Sequence, residues 1–256
     1  MKKISSILLV LLLMLASFTA GTQYPRGDVD HNGSVNIADV ATLIDYLLTG
    51  TWEDAPVTPP DTHEYVDLGL PSGTLWATCN VGATAPEEYG DYFAWGETEP
   101  KDVYKWSTYK WCNGSYNTLT KYCTNSSYGT VDNKTELDPE DDAAYVNWGS
   151  SWRMPTYDQQ TELRTECTWT RTTQNGVNGR LVTGPNGNTL FLPAAGYRYD
   201  SSLNSAGSWG DYWSRTLHSG SPYNAYGVYF NADGVYWGNY GRNDGFAVRP
   251  VRVSQN

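Results

Sequence analysis

The 256-residue sequence predicts a domain that is mostly antiparallel β-sheet with few helices. Turn-forming residues are dense, with 25 Gly and 13 Pro, and the apolar runs between them are short. Tyr and Trp, at 20 and 11 residues, suit half-exposed strand surfaces as well as cores. The formal charge of −11 argues against a nucleic-acid partner, which needs a basic surface.

The first 21 residues have the pattern of a secretory signal peptide. Lys2 and Lys3 precede an apolar run over residues 7–15, and small residues follow as far as Gly21. The run is shorter than the roughly 20 residues that span a bilayer. We therefore expect a protein that is secreted or associated with the cell surface, with no transmembrane segment in the mature chain.

Residues 28–39 have the spacing of a calcium-binding loop. Side-chain oxygens occupy loop positions 1, 3, 5, 9 and 12, and Gly33 at position 6 permits the sharp turn. The predicted calcium ligands are Asp28, Asp30, Asn32, Ser34 through its carbonyl, Asn36 and Asp39. Val40, Leu43, Ile44 and Leu47 then follow helical spacing up to Gly50.

This loop-helix unit, residues 24–50, resembles a type I dockerin repeat. The resemblance implies calcium-dependent docking to a cohesin-like partner on a scaffold or surface protein. Dockerins normally carry two such repeats, and one is present here. The alternative is therefore some other contact with a neighbour.

A Pro-rich linker over residues 51–62 separates this unit from a large domain, residues 63–254. Within that domain, residues 226–230 and 235–237 flank the turn Asn231-Ala232-Asp233-Gly234, which predicts a β-hairpin. Residues 181–183 and 189–192 flank a second turn in the same way. Residues 155–167 are predicted to form a helix, with Pro at its start.

Several separated motifs of the large domain resemble the Fibrobacter succinogenes major paralogous domain. They are residues 64–83, 90–97, 141–144, 148–156, 191–198, 212–214 and 248–251. That family is similar to the formylglycine-generating-enzyme branch of the C-type lectin-like fold. The resemblance implies an α+β, C-type lectin-like domain, rich in antiparallel β-hairpins, with one or two helices.

The motif side chains are interpreted mainly as scaffold. Trp76, Trp95, Trp148, Trp152 and Trp213 are predicted to lie in the core. Arg153 and Arg249 are expected to pair with carboxylates such as Asp141 or Asp142. The enzymes of this fold use a late pair of cysteines, and no Cys follows Cys167. We therefore expect a protein without catalytic residues, and an enzyme of unknown class on this fold is an alternative.

The C-terminal quarter is the predicted ligand face, because Tyr, Asn, Ser and Gly together resemble an adaptable binding surface. The candidate residues are Tyr223, Asn224, Tyr226, Tyr229, Asn231, Tyr236, Trp237, Asn239, Tyr240, Arg242, Asn243 and Asp244. Strand alternation separates Tyr226, Val228 and Phe230 from Tyr229. The alternative is that these rings only cover a small core.

The four cysteines are predicted to form disulfides in an oxidising compartment. Three pairings are possible, and Cys112–Cys123 with Cys79–Cys167 is the one we favour. Zinc is the alternative, but no C-x-x-C spacing occurs.

Together these patterns predict a secreted, non-catalytic protein that binds a carbohydrate or protein ligand and carries a calcium-dependent module. An accessory subunit of polysaccharide degradation, recruited to a cohesin-type scaffold, is the alternative.

Overall fold

The computed structural model describes residues 43–44 and 63–253. Leu43 and Ile44 are helical, within the stretch predicted as the helix after the calcium loop. The predicted signal peptide, the calcium ligands and the linker lie outside the described residues. The fold below is that of residues 63–253.

This part of the chain contains thirteen strands and two α-helices. The strands are β1 (Tyr65–Asp67), β2 (Thr74–Ala77), β3 (Tyr92–Ala94), β4 (Thr168–Gln174), β5 (Val177–Thr183), β6 (Thr189–Pro193), β7 (Tyr197–Tyr199), β8 (Ser202–Asn204), β9 (Gly210–Leu217), β10 (Asn224–Phe230), β11 (Val235–Gly241), β12 (Gly245–Ala247) and β13 (Val251–Val253). The helices are α1 (Ala143–Trp148) and α2 (Tyr157–Glu166).

The strands form three sheets. A seven-stranded sheet has the order β11-β10-β9-β12-β7-β8, with β3 also paired to β12. Two three-stranded sheets have the orders β1-β2-β13 and β4-β5-β6. All the pairs are antiparallel except β12 with β9.

Both predicted hairpins are confirmed. Strands β10 and β11 pair over their full lengths, and the Asn231 side chain closes their turn by accepting from the Asp233 amide at 2.9 Å. Strands β5 and β6 pair around residues 184–188, where the Gly184 amide donates to the Asn188 carbonyl. Such turns are local, so the residues inside them suffice to specify them.

The predicted α+β, C-type lectin-like class is wrong for residues 63–253, which are mostly β. Helix α2 does occupy the predicted stretch, and its capping box joins Thr156 and Gln159. It is nevertheless only ten residues long, and α1 is six. Thr, Gly and aromatic residues between closely spaced turns form strands instead, so residues 63–253 contain thirteen strands against two short α-helices.

The core confirms the interpretation of the motif tryptophans. Trp76, Trp95, Trp152 and Trp213 are at most 2% exposed, and Trp148 is half-buried. Two of these indoles donate to backbone carbonyls: Trp95 Nε1 to Ser214 O and Trp213 Nε1 to Phe93 O, each at 2.8 Å. The indole N–H groups of Trp95 and Trp213 are thus paired, whereas the buried Trp76 Nε1 has no hydrogen-bond partner among the described residues.

The expected pairing of Arg249 with Asp141 or Asp142 is wrong. The buried Arg249 donates to Asn80 Oδ1 at 2.7 Å and to the carbonyls of Ala77 and Thr78. Asp142 instead caps α1 by accepting from the amides of residues 144 and 145. For Arg153, the guanidinium lies over the Tyr145 ring, 5.0 Å from its centroid.

Neither predicted disulfide is present, because all four cysteines are free thiols. Cys112 Sγ donates to the Trp106 carbonyl at 3.2 Å, and the buried Cys123 Sγ donates to the Asn125 carbonyl at 3.1 Å. The thiols of Cys112 and Cys123 therefore each have a backbone partner. Burial raises the pKa of the Cys167 thiol to about 11.

Within residues 43–44 and 63–253, no helix is long and apolar enough to cross a membrane.

Candidate functional site

The hairpin of β10 and β11 presents two faces with different surroundings. In its register Val228 lies opposite Trp237, whereas Tyr229 lies opposite Tyr236. Because side chains alternate along a strand, Tyr226, Val228 and Trp237 share one face, the Tyr226 face. Tyr229 and Tyr236 share the other, the Tyr229 face.

The Tyr226 face is largely covered by helix α2. The rings of Tyr157 and Tyr226 are 4.4 Å apart between centroids, and Tyr157 meets Trp237 edge-on at 5.0 Å. Val228 and Phe230 are buried. Only the outer part of this face is open, and there Trp237 is 44% exposed.

The Tyr229 face carries three aromatic rings in an offset stack, which we name the aromatic strip: Trp209, Tyr229 and Tyr236. Trp209 and Tyr229 are within 15° of parallel with centroids 5.7 Å apart, and Tyr229 and Tyr236 are 5.2 Å apart at 29°. These separations exceed direct face-to-face contact, so the rings are offset. Trp209 is 36% and Tyr236 40% exposed.

Tyr240 closes one end of this face. Its ring packs edge-on against Tyr229 at 6.0 Å and against Phe246 at 4.9 Å. A Cβ at Gly238 would lie only 3.1 Å from the Tyr240 hydroxyl and 3.2 Å from its ring. Glycine at this position thus gives Tyr240 room to lie over the sheet.

Two carboxyl groups lie beside these rings. Asp211 on β9 is opposite Tyr229 in register, is 1% exposed, and its Oδ2 has no hydrogen-bond partner among the described residues. Burial, and then the charge of Asp244, raise the pKa of Asp211 to about 7. Burial also raises the pKa of Asp244 to about 7, although Asn243 donates to it. Both carboxyls therefore hold protons more readily than ordinary aspartates do.

The structure separates the predicted ligand residues into several environments. Tyr223 packs with Tyr116 and Tyr128, at 5.4 and 5.1 Å between centroids. Asn224 donates to Asn239 Oδ1 across the hairpin at 2.8 Å. Tyr223, Asn224 and Asn239 therefore lie outside the aromatic strip.

Three more predicted ligand residues have structural roles. Asn231 closes the hairpin turn, and Asn243 is 3% exposed. Arg242 is fully buried between the rings of Trp95 and Tyr109. It donates to Tyr109 Oη and to the carbonyls of Lys121, Tyr122 and Pro222. A side chain with all these partners is not available to a ligand.

Sequence reasoning missed Trp209 and Asp211. Asp211 is the second residue of β9, where alternation places it with Trp213 on the same side of the strand. That alternation was the signal in the sequence from which the burial of Asp211 beside Trp213 could have been predicted. The register that brings Asp211 next to Tyr229 depends on which strands pair, and the sequence does not give it.

An acidic triad elsewhere has the geometry to hold a metal ion: Asp138, Glu140 and Asp141. The Lys121 ammonium already lies 2.7 Å from Asp138 Oδ2 and 2.5 Å from Asp141 Oδ2, with Glu140 at 3.7 Å. The lysine thus supplies the positive charge that the triad requires.

A model for a family described as a domain of unknown function, DUF8237, matches residues 156–251. The matched stretch runs from the start of α2 to the start of β13, and it includes the aromatic strip. It spans less than half of the chain, so it is a similarity to that family over this region. No curated protein and no solved structure matches the chain. The resemblances to the Fibrobacter, C-type lectin-like and dockerin families gain no support from these comparisons.

Proposed function

We propose that residues 63–253 form a non-catalytic binding domain that recognises carbohydrate through the aromatic strip. The observation that carries the proposal is the arrangement of Trp209, Tyr229 and Tyr236 as offset, near-parallel rings on one sheet face. Sugar rings have apolar C–H faces that pack against such aromatic surfaces, and polar groups beside them fix orientation. Asp244, which is half-buried beside the strip, is suited to accept from sugar hydroxyls.

Rigidity supports the same function. Tyr229 and Tyr236 belong to paired strands, and Tyr240 and Phe246 brace the end of the face. Rings held in this way lose little conformational entropy when a ligand binds. The strip is therefore organised before the ligand arrives.

A glycan array probed with the full chain tests the proposal. We expect binding to a limited set of oligosaccharides, and we expect Tyr236→Ala to weaken it by about tenfold, since an anchoring aromatic contact contributes about 1.4 kcal/mol or more. Tyr65→Ala, at an exposed tyrosine on β1, is the matched control. An array without any binder would refute the proposal.

A protein ligand is the second candidate. The observation that favours it is the exposed Trp237 on β11, which is an edge strand of the seven-stranded sheet. Loss of binding in Trp237→Ala, together with unchanged binding in Trp209→Ala, would place a protein ligand at Trp237 on β11.

The N-terminal part of the proposal rests on sequence alone. We propose that the chain is exported and that residues 28–39 bind calcium, for docking to a cohesin-like or other surface partner. Recruitment to a polysaccharide-degrading assembly is the alternative use of this module. Calcium titration of the full chain by calorimetry should show one site that Asp28→Ala removes. Unchanged calcium binding in Asp28→Ala would contradict the assignment.

A further inference from the structure

A polar cleft that shares no lining residue with the aromatic strip lies beside β3 and β7. It has a volume of about 290 Å³, and its lining includes Asp91, Tyr92, Lys101, Asp102, Tyr104 and Arg198. That volume is enough for one small molecule of monosaccharide or amino-acid size. We call it the Arg198 cleft.

Arg198 is the cation of this cleft that lacks a counter-ion. Its guanidinium lies over the Tyr92 ring, 5.3 Å from the centroid, and the residue is half-buried. Among the described residues, 43–44 and 63–253, no carboxylate forms an ion pair with it, and no acceptor takes a hydrogen bond from its side-chain nitrogens. A partly buried guanidinium without partners is suited to bind an anion.

Lys101 differs from Arg198 because its charge is already balanced. Its ammonium lies 2.8 Å from both Glu97 carboxylate oxygens and donates to the Thr108 carbonyl at 3.1 Å. Arg198 is therefore the cation of the cleft that is available to pair with an anionic group.

The carboxylates of the cleft define the rest of the ligand. Asp91 and Asp102 accept no hydrogen bond from a side chain or amide in the described part of the chain. They would repel a bare anion, and they favour a molecule that brings hydrogen-bond donors beside its negative group. Hydroxyl and ammonium groups are such donors.

The walls of the cleft are held in place. The backbones of Tyr104 and Asp200 exchange hydrogen bonds of 2.8 and 2.9 Å, and Tyr104 Oη donates to Tyr92 O at 2.5 Å. A Cβ at Gly82 would lie 2.3 Å from Asp91 Oδ2, so Asp91 packs against the bare backbone there. The site is therefore formed without a ligand.

We propose that the Arg198 cleft binds a small carboxylate that carries hydrogen-bond donors, with the carboxylate on Arg198 and the donors on Asp91 and Asp102. A sugar acid and a free amino acid share this chemistry. The site is separate from the aromatic strip, so either can fail without the other.

NMR titration of the full chain, following the backbone amide signals of the residues that line the cleft and, in the wild type, the Arg198 Nε–Hε signal, tests the proposal. The probes are D-glucuronate and glycine, with D-glucose as the neutral control. We expect at least one of the two acids to bind about tenfold or more tightly than glucose, since a charge-assisted pair contributes more than about 1.4 kcal/mol. The tighter of the two acids identifies the source of the carboxylate.

Variants distinguish a specific pair between Arg198 and the ligand carboxylate from general charge effects. Arg198→Gln should weaken binding of that acid about tenfold or more, and Arg198→Lys should fall between it and the wild type because it keeps the charge without the two-pronged geometry. Arg171→Gln, at an exposed arginine on β4, should bind like the wild type, as should Trp209→Ala. Unchanged affinity in a folded Arg198→Gln protein, or acids that bind no better than glucose, would overturn the proposal.

Discussion

Asp211 and Asp244 are two carboxyl groups close enough for their negative charges to repel each other, and they lie beside the aromatic rings of the Tyr229 face. Both have pKa values raised to about 7, in each case chiefly by burial, and the Asp244 charge contributes to the shift of Asp211. Asp211 Oδ2 has no hydrogen-bond partner among the described residues. The fold therefore favours the protonated form of this pair.

This pair predicts that stability falls as the pH rises. In the unfolded chain an aspartate loses its proton near pH 4, whereas folded Asp211 and Asp244 keep theirs until about pH 7. Between these values the folded state binds more protons, so the free energy of unfolding decreases as the pH rises and levels off above pH 7. Thermal melts from pH 4 to pH 8 measure this trend.

Asp211→Asn isolates the effect, because the amide has the shape of the acid and no charge. At pH 8 we expect it to stabilise the protein by about 1–2 kcal/mol, or roughly 2–8 °C in melting temperature. At pH 4, close to the pKa of an aspartate in the unfolded chain, the difference should almost disappear. Asp233→Asn, in the exposed hairpin turn, is the control. An equal effect of Asp211→Asn at both pH values would show that the folded carboxyl is not protonated.

Arg242 is predicted to act on stability rather than on ligand affinity. Arg242→Lys keeps the charge, but one ammonium does not reach Tyr109 Oη and three separate carbonyls together. We expect a loss of about 3 kcal/mol in the free energy of unfolding, measured by urea denaturation. Arg171→Lys should change it by less than about 0.5 kcal/mol. If Arg242→Lys had near-native stability but had lost ligand binding, Arg242 would belong to the ligand face instead.

The free thiols give a direct chemical test. Denatured without reductant, the protein should react with four equivalents of a thiol reagent. In the native state Cys123 is buried and the raised pKa of Cys167 keeps it as the weakly reactive thiol near pH 7, so both should react slowly. No reaction after denaturation would instead indicate two disulfides, as the sequence predicted.

The parts of this fold that the sequence predicts are local ones. The turn at residues 231–234 and helix α2 depend on residues a few positions apart, and both formed where expected. The motif tryptophans were assigned to the core from the large area that each can bury among short strands. Contacts between residues far apart in the sequence cannot be predicted in this way. Arg242 lies in a Tyr-, Asn- and Gly-rich segment typical of a surface, yet its partners include Tyr109, 133 positions away.

The same limit applies to the candidate site. The sequence placed Tyr229 and Tyr226 on opposite faces, which the register of β10 confirms. It did not indicate that α2 covers the Tyr226 face, or that Trp209 and Asp211 lie beside Tyr229. The α+β class failed for a related reason, because it was inferred from motifs and not from the lengths of the helices.

The most direct test of the proposed function compares two exposed tryptophans on the two faces of the hairpin. Calorimetric titration with the oligosaccharide that binds best on the array should give about tenfold weaker binding for Trp209→Ala, and unchanged binding for Trp237→Ala. Equal affinities for wild type and Trp209→Ala would contradict the assignment of the aromatic strip as the carbohydrate-binding surface.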